Sequence, residues 1–171
     1  MADHRRRSTV GLGDEGDVNQ MGRAKPDYAT MPFEQIENLA VGEVAEKDAH
    51  IYVWSTGRSL RKAFALLDAW DFRYITTLVW VKPNFGMGNY FRGSTEFILF
   101  GVRGSLPLKR KDVGTHFTAD RPGGHSAKPD AFYELVASCS PGPGLDIFGR
   151  RDLERLPEGW SSYGENGLVL P

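Results

Sequence analysis

Residues 76–104 read Thr-Thr-Leu-Val-Trp-Val-Lys-Pro-Asn-Phe-Gly-Met-Gly-Asn-Tyr-Phe-Arg-Gly-Ser-Thr-Glu-Phe-Ile-Leu-Phe-Gly-Val-Arg-Gly. Two apolar runs flank a loop rich in glycine and aromatic residues that carries a lysine and an arginine. A loop of this kind between two rigid strands is a common way to build a site for a flat, polar ligand. Asp146 stands near the carboxyl end of a later apolar run, where α/β sheets place ligand-binding groups. A carboxylate there either accepts hydrogen bonds from hydroxyls or is a plain strand-end charge. Trp54 and Trp80 end, or nearly end, apolar runs of their own; they line the same cleft or fill the core, and the core is the commoner use. Other chemistries lack their residues. No Cys or His pair has zinc spacing, and neither a Gly-x-x-x-x-Gly-Lys phosphate loop nor a Gly-x-Ser-x-Gly elbow occurs.

At 171 residues the chain is long enough for one compact domain with a real core and too short to suggest two. The formal net charge is -1, so no global positive field marks it for nucleic acid. Local runs at 5–7, 109–111 and 150–151 are basic, and each is either a patch or a solvated surface. Cys139 has no partner for a disulfide and falls on the apolar stripe of a helix, which suits a packed thiol in a reducing cytoplasm. No apolar run approaches the roughly 18 residues of a membrane span, so a soluble, cytoplasmic protein is expected.

Elements to position these residues are legible in the patterning. Residues 1–26 are polar, glycine-rich and almost without apolar periodicity, which predicts a flexible arm ahead of a domain over 27–171. Pro32 opens a helix marked by Phe33, Ile36, Leu39 and Ala40 and closed at Gly42. Residues 49–54 read as a short strand, and 58–70 as an amphipathic helix with Leu60, Phe64, Leu67 and Trp70 on one face. Residues 73–81 are dense enough in apolar side chains to predict a strand buried on both faces. A strand over 97–102, a polar insertion over 105–124 with a strand-like patch at 115–118, a helix opened by Pro129, and a final strand over 145–149 complete the pattern. Alternating strands and helices predict an α/β sandwich.

Further short segments follow in collinear order: Tyr28-Ala29-Thr30-Met31, His125-Ser126-Ala127-Lys128-Pro129-Asp130, Pro141-Gly142-Pro143-Gly144-Leu145-Asp146-Ile147-Phe148-Gly149-Arg150, and Gly159-Trp160 leading to Gly164-Glu165-Asn166. Together with residues 76–104 they make the chain resemble the MT-A type of S-adenosylmethionine-dependent N(6)-adenine methyltransferases, its short bacterial and phage members above all. The resemblance covers about 27–166. It implies a Rossmann-like methyltransferase sandwich, with a mostly parallel sheet and helices on both faces. It also implies S-adenosyl-L-methionine as cofactor, no metal, and adenine in nucleic acid, DNA ahead of RNA, as substrate and partner.

The resemblance also implies site residues. Lys128 corresponds to a lysine near the methionine carboxylate and the reacting amine, where a cation makes charge-assisted bonds; without that context it is an exposed lysine before a helix. Asp146, Phe148, Arg150 and Asn166 correspond to cofactor positions. Tyr28 corresponds to an aromatic beside the target base and Glu96 to a carboxylate near the acceptor. From their own positions, Trp80 at a strand end and Asn89, Tyr90 and Arg92 on the loop are the other substrate-side candidates, the last three suiting backbone or phosphate contacts. The family's Asp-Pro-Pro-Trp is absent. Asp3, in Met1-Ala2-Asp3-His4, is the candidate for its aspartate, which leaves no residues for the strand before it. Two alternatives therefore stand beside an active enzyme: an inactive methyltransferase-like module that binds nucleic acid or a partner, and an N-terminally incomplete domain.

Overall fold

The computed structural model describes residues 7–11, 31–88, 90–123, 127–149, 151–164 and 167–170, the side chains of 7–11 and 167–169 excepted. At the middle of the fold lies β2 (Ala49–Ser55), every residue of which is buried. Its alternation explains why. Ala49, Ile51 and Val53 pack with Leu66 and Leu67 of α3 (Leu60–Ala69) and with Trp70 and Phe72 beyond it. Tyr52 and Trp54 point the other way, onto Phe132, Tyr133 and Val136 of α4 (Asp130–Cys139). Both faces of the strand are thus covered by helix, the condition that makes a strand apolar throughout.

The remaining strands are β1 (Arg7–Gly11), β3 (Arg73–Val81), β4 (Thr95–Arg103), β5 (His116–Thr118), β6 (Gly144–Ile147), β7 (Ser161–Gly164) and β8 (Gly167–Val169). They form one sheet in the order β5-β3-β4-β2-β1-β6-β7-β8. The sheet is mixed. β1 is parallel to β2 and β6, β3 to β5, and β6 to β7, whereas β4 is antiparallel to β2 and β3, and β8 to β7. Two short helices, α1 (Phe33–Glu37) and α2 (Val41–Val44), extend the α3 side through Ile36 and Val41.

Four expectations need correction. The first strand is not missing: Arg7–Gly11, inside the predicted arm, fills the slot between β2 and β6, pairing Thr9 with both Tyr52 and Asp146. Two backbone ladders meet there, so a segment of modest apolarity is ordered by hydrogen bonds that an open slot would leave unmade. Nor is β6 the final strand, because β7 and β8 follow it. Further, β3 is buried on both faces only toward its end, at Leu78 and Trp80; Tyr74 and Ile75 are exposed. Only the three-residue β5 lies outside β3, and it pairs with Val79, Trp80 and Val81 alone. Phe64, predicted for the buried face of α3, is half-exposed and meets the Tyr74 ring at 5.0 Å instead.

Arg103 closes the carboxyl end of α3. Its guanidinium donates to the carbonyls of Trp70 at 3.1 Å, Asp71 at 3.3 Å and Gly42 at 2.6 Å. These are acceptors that a helix end and a following turn would otherwise leave unpaired, and the cation complements the helix dipole.

Candidate active site

The carboxyl ends of β2 and β3 bring two tryptophans together. Trp54 and Trp80 meet edge to face, with ring centroids 5.9 Å apart, and Phe132 of α4 lies 4.7 Å from Trp54. Trp80 donates its indole N–H to the Ala119 carbonyl at 2.8 Å. The indole N–H of Trp54 is buried without an acceptor among the described residues. Both rings belong to the core on the α4 side, so the commoner reading of a strand tryptophan is right, and each also lies under a lysine of a charged cluster.

That cluster is built on Glu96, the residue paired across the ladder with Trp80. One carboxylate oxygen accepts from Lys82 Nζ at 2.5 Å and the other from Lys128 Nζ at 3.1 Å. Each lysine also lies over an indole, Lys82 over Trp80 at 4.8 Å and Lys128 over Trp54 at 4.3 Å. Side-chain exposures of 11%, 18% and 17% for Lys82, Glu96 and Lys128 put the group largely out of water. Burial alone would raise the Glu96 carboxyl, but the Lys128 and Lys82 charges and hydrogen bonds outweigh it and hold the group below the usual carboxylate range. The result is an ionised carboxylate between two cations, with one net positive charge.

Asp146 stands on the same side of the sheet, in register through Thr9 with Tyr52. It is buried, and Tyr133 of α4 donates to its Oδ2 at 2.9 Å. Burial pushes its carboxyl up to about 6, against the Tyr133 hydrogen bond and the charges of Lys128 and Arg151. The Tyr133 phenol is driven up as well, by burial and by Asp146. Gly149 wraps the carboxylate so closely that a Cβ there would sit 1.8 Å from Oδ2. A folded pKa above the ordinary aspartate value means that the native state holds the proton more tightly. The contribution of Asp146 to stability therefore falls as pH rises toward 6 and is level above it. Relative to Asp146→Asn, the protein should gain on the order of 1 kcal/mol between pH 7 and pH 5 in urea unfolding; equal pH responses would contradict the buried carboxylate.

Of the residues singled out from the sequence, Lys128, Glu96 and Trp80 come together, and the charge of Lys128 reaches Asp146. Phe148 follows β6 with a left-handed backbone (φ 62°) and packs with the core on the α3 side, its N–H donating to Tyr163 O at 2.7 Å. Tyr90 and Arg92 stand on the exposed loop between β3 and β4 rather than in the cluster. Asp3, Tyr28, Asn89, Arg150 and Asn166 lie outside the described residues. Lys82 and Tyr133 were not singled out as site residues. For Lys82 the signal was its place beside Trp80 on the strand that pairs with Glu96; for Tyr133 there was none, because only the fold sets α4 over β6. Sequence reasoning also missed Gly11-Leu12-Gly13-Asp14-Glu15-Gly16 by treating a Gly-x-Gly-x-x-Gly spacing as absent; past Gly11, the last residue of β1, it lies outside the described residues.

A separate cavity of about 250 Å³ opens at the opposite end of the sheet, against His50, Tyr52, Ser140 and Trp160. Its polar groups are joined to one another: Ser140 Oγ lies 2.8 Å from His50 Nδ1 and 2.7 Å from the Tyr52 hydroxyl. None of the site residues lines it.

This arrangement, an α/β sheet with a cluster of charged and aromatic side chains at its strand ends, is accompanied by a family match over residues 17–166, and the chain belongs to the MT-A70 family. It is 27% identical to the Type II methyltransferase M.MunI of a Mycoplasma species, over 96% of this chain and 73% of that protein. It is 28% identical to a probable N(6)-adenosine-methyltransferase MT-A70-like protein of Oryza sativa subsp. japonica, over 84% of this chain and 21% of the relative. To the human N(6)-adenosine-methyltransferase catalytic subunit METTL3 it is 24% identical, over 72% of this chain and 23% of the relative. The chain thus spans most of the first protein and less than a quarter of the other two. Among the described residues no helix is long and apolar enough to cross a membrane.

Proposed function

We propose that this protein is an S-adenosylmethionine-dependent methyltransferase that modifies the N(6) amine of adenine in nucleic acid, DNA ahead of RNA. The observation that carries the reading is the Lys82–Glu96–Lys128 cluster over the Trp54–Trp80 pair. DNA is favoured because the chain matches M.MunI over 73% of its length, but only a small part of the relatives named for adenosine.

The residues suit the cofactor's polar groups. Lys128 keeps donor protons beyond the one given to Glu96 and can hold a carboxylate by a charge-assisted bond. Tyr133 donates to Oδ2 of Asp146, while among the described residues Oδ1 has no hydrogen-bond donor and the buried Trp54 indole N–H no acceptor; Oδ1 is proposed to take a ribose hydroxyl. When bound, the cofactor supplies an electrophilic methyl group. The chain's own task is to orient the amine, whose lone pair is delocalised into the ring. Glu96, kept ionised by its two lysines, accepts an amine N–H through lone pairs they leave free. Trp54 and Trp80 wall the base and exclude water, with Tyr28 the proposed stacking partner. Phe148, Arg150 and Asn166 are proposed to complete the cofactor side. Asp3 is proposed, as the candidate for the family's aspartate, to take part in orienting the amine; it lies outside the described residues.

Calorimetric titration with S-adenosylmethionine tests the cofactor half of this reading. Saturable one-to-one binding, displaced by S-adenosylhomocysteine, is the expected result. No heat from a folded sample would remove it and favour a methyltransferase-like binding module.

A further inference from the structure

The loop between β3 and β4 exposes more large apolar surface than any other described segment. Phe85, Met87, Tyr90 and Phe91 are 79%, 75%, 97% and 93% exposed. Isolated apolar side chains on a surface need no explanation, but four on one short loop do. The loop is anchored at its base: Lys82 N donates to Ser94 O at 2.7 Å and Gly86 N to Gly93 O at 2.6 Å. Near the tip a Cβ on Gly88 would lie 2.0 Å from Phe91 O, so the chain doubles back tightly and holds its rings outward.

Resting on the methyltransferase reading, we propose that this loop is a stacking platform for bases flanking the target, so that the substrate strand is unpaired where it meets the protein. Three observations choose this occupant. Residues 82–94 contain Lys82 and Arg92 and no acidic residue, and the Arg121 guanidinium reaches Gly86, with Nη2 3.1 Å from where its Cβ would be. Aromatic faces interleaved with guanidinium groups suit single strands, whose bases offer π-faces and whose phosphates offer charge. Continuity with the cluster is direct, since the loop springs from Lys82 and returns two residues before Glu96. A duplex hides its base faces and shows only edges, and rings with few hydrogen-bonding atoms gain little from edges.

Fluorescence anisotropy with a labelled, adenine-containing single-stranded DNA and its duplex tests the platform. The wild-type chain should bind the single strand more tightly. The double substitution Tyr90→Ala/Phe91→Ala should weaken that binding by at least about tenfold without changing its salt slope, because stacking is not ionic. Arg92→Ala should instead flatten the salt dependence by about one ion. Both rings are solvent-exposed, so a thermal melt should be unchanged. Equal single-strand binding by wild type and the double variant would overturn the platform while leaving the methyltransferase reading intact. No wild-type binding to either DNA would remove both. Loss of self-association in the double variant, seen by sedimentation with DNA binding unaltered, would reassign the loop to a protein contact.

Discussion

Glu96→Ala should destabilise the fold by about 3 kcal/mol, the lower end for breaking a buried ion pair, lowering the Tm by roughly 6–12 °C. Glu96 is a shared counter-ion, bonded at 2.5 Å to Lys82 and at 3.1 Å to Lys128. Removing it strands two ammonium groups, each mostly desolvated beside an indole, with no carboxylate between them. The penalty is chiefly that of buried unpaired charge rather than of lost packing. A second substitution should therefore return part of it: Glu96→Ala/Lys128→Met should be more stable than Glu96→Ala alone. Urea unfolding of the three proteins decides the matter, and a loss below 1 kcal/mol, or no recovery in the double variant, would show that water screens the cluster.

The second large effect falls on binding. Lys128→Met keeps the aliphatic stem over Trp54 and leaves Glu96 paired with Lys82, so the fold should lose much less than with Glu96→Ala. Cofactor affinity should fall by about 10–100-fold, the worth of one hydrogen bond to a charged group. Calorimetry and urea unfolding on the same variant separate the two roles. Comparable losses in stability and affinity would make Lys128 a structural cation and sink its cofactor role.

Much of this architecture was legible because local pattern and tertiary environment agree. In β2, apolar and aromatic side chains at consecutive positions announced a strand, and the structure covers both of its faces with helix. Pro129 announced the start of α4 and the apolar stripe to Cys139 its length. Where pattern and environment part, the sequence misleads. β1 is short and polar enough to pass for tail, and what orders it is a pair of neighbours remote in sequence. β7 and β8 lie in a stretch of Ser, Tyr and Gly with no clean alternation. β3 has the composition of a central strand and a nearly bare outer edge, so Tyr74 and Ile75 face solvent.

The site divides in the same way. Glu96, Lys128 and Asp146 came from a resemblance in short segments, and the fold brings them to one side of the sheet. Lys82 was read only as the lysine of a ligand loop, because a lysine at a strand end usually marks solvent; its carboxylate contact and the indole beneath it appear only when β3 and β4 are paired. Tyr133 was hidden for a plainer reason. It sits 13 residues before the carboxylate it serves, on a helix whose rotation over the sheet no spacing specifies.

The most direct test of the central claim is transfer of an isotopically labelled methyl group from S-adenosylmethionine to adenine-containing DNA, followed by digestion and identification of the labelled nucleoside. The account predicts N(6)-methyldeoxyadenosine as the labelled product, lost in Glu96→Gln. Cofactor binding without transfer, or label on another base, would contradict it.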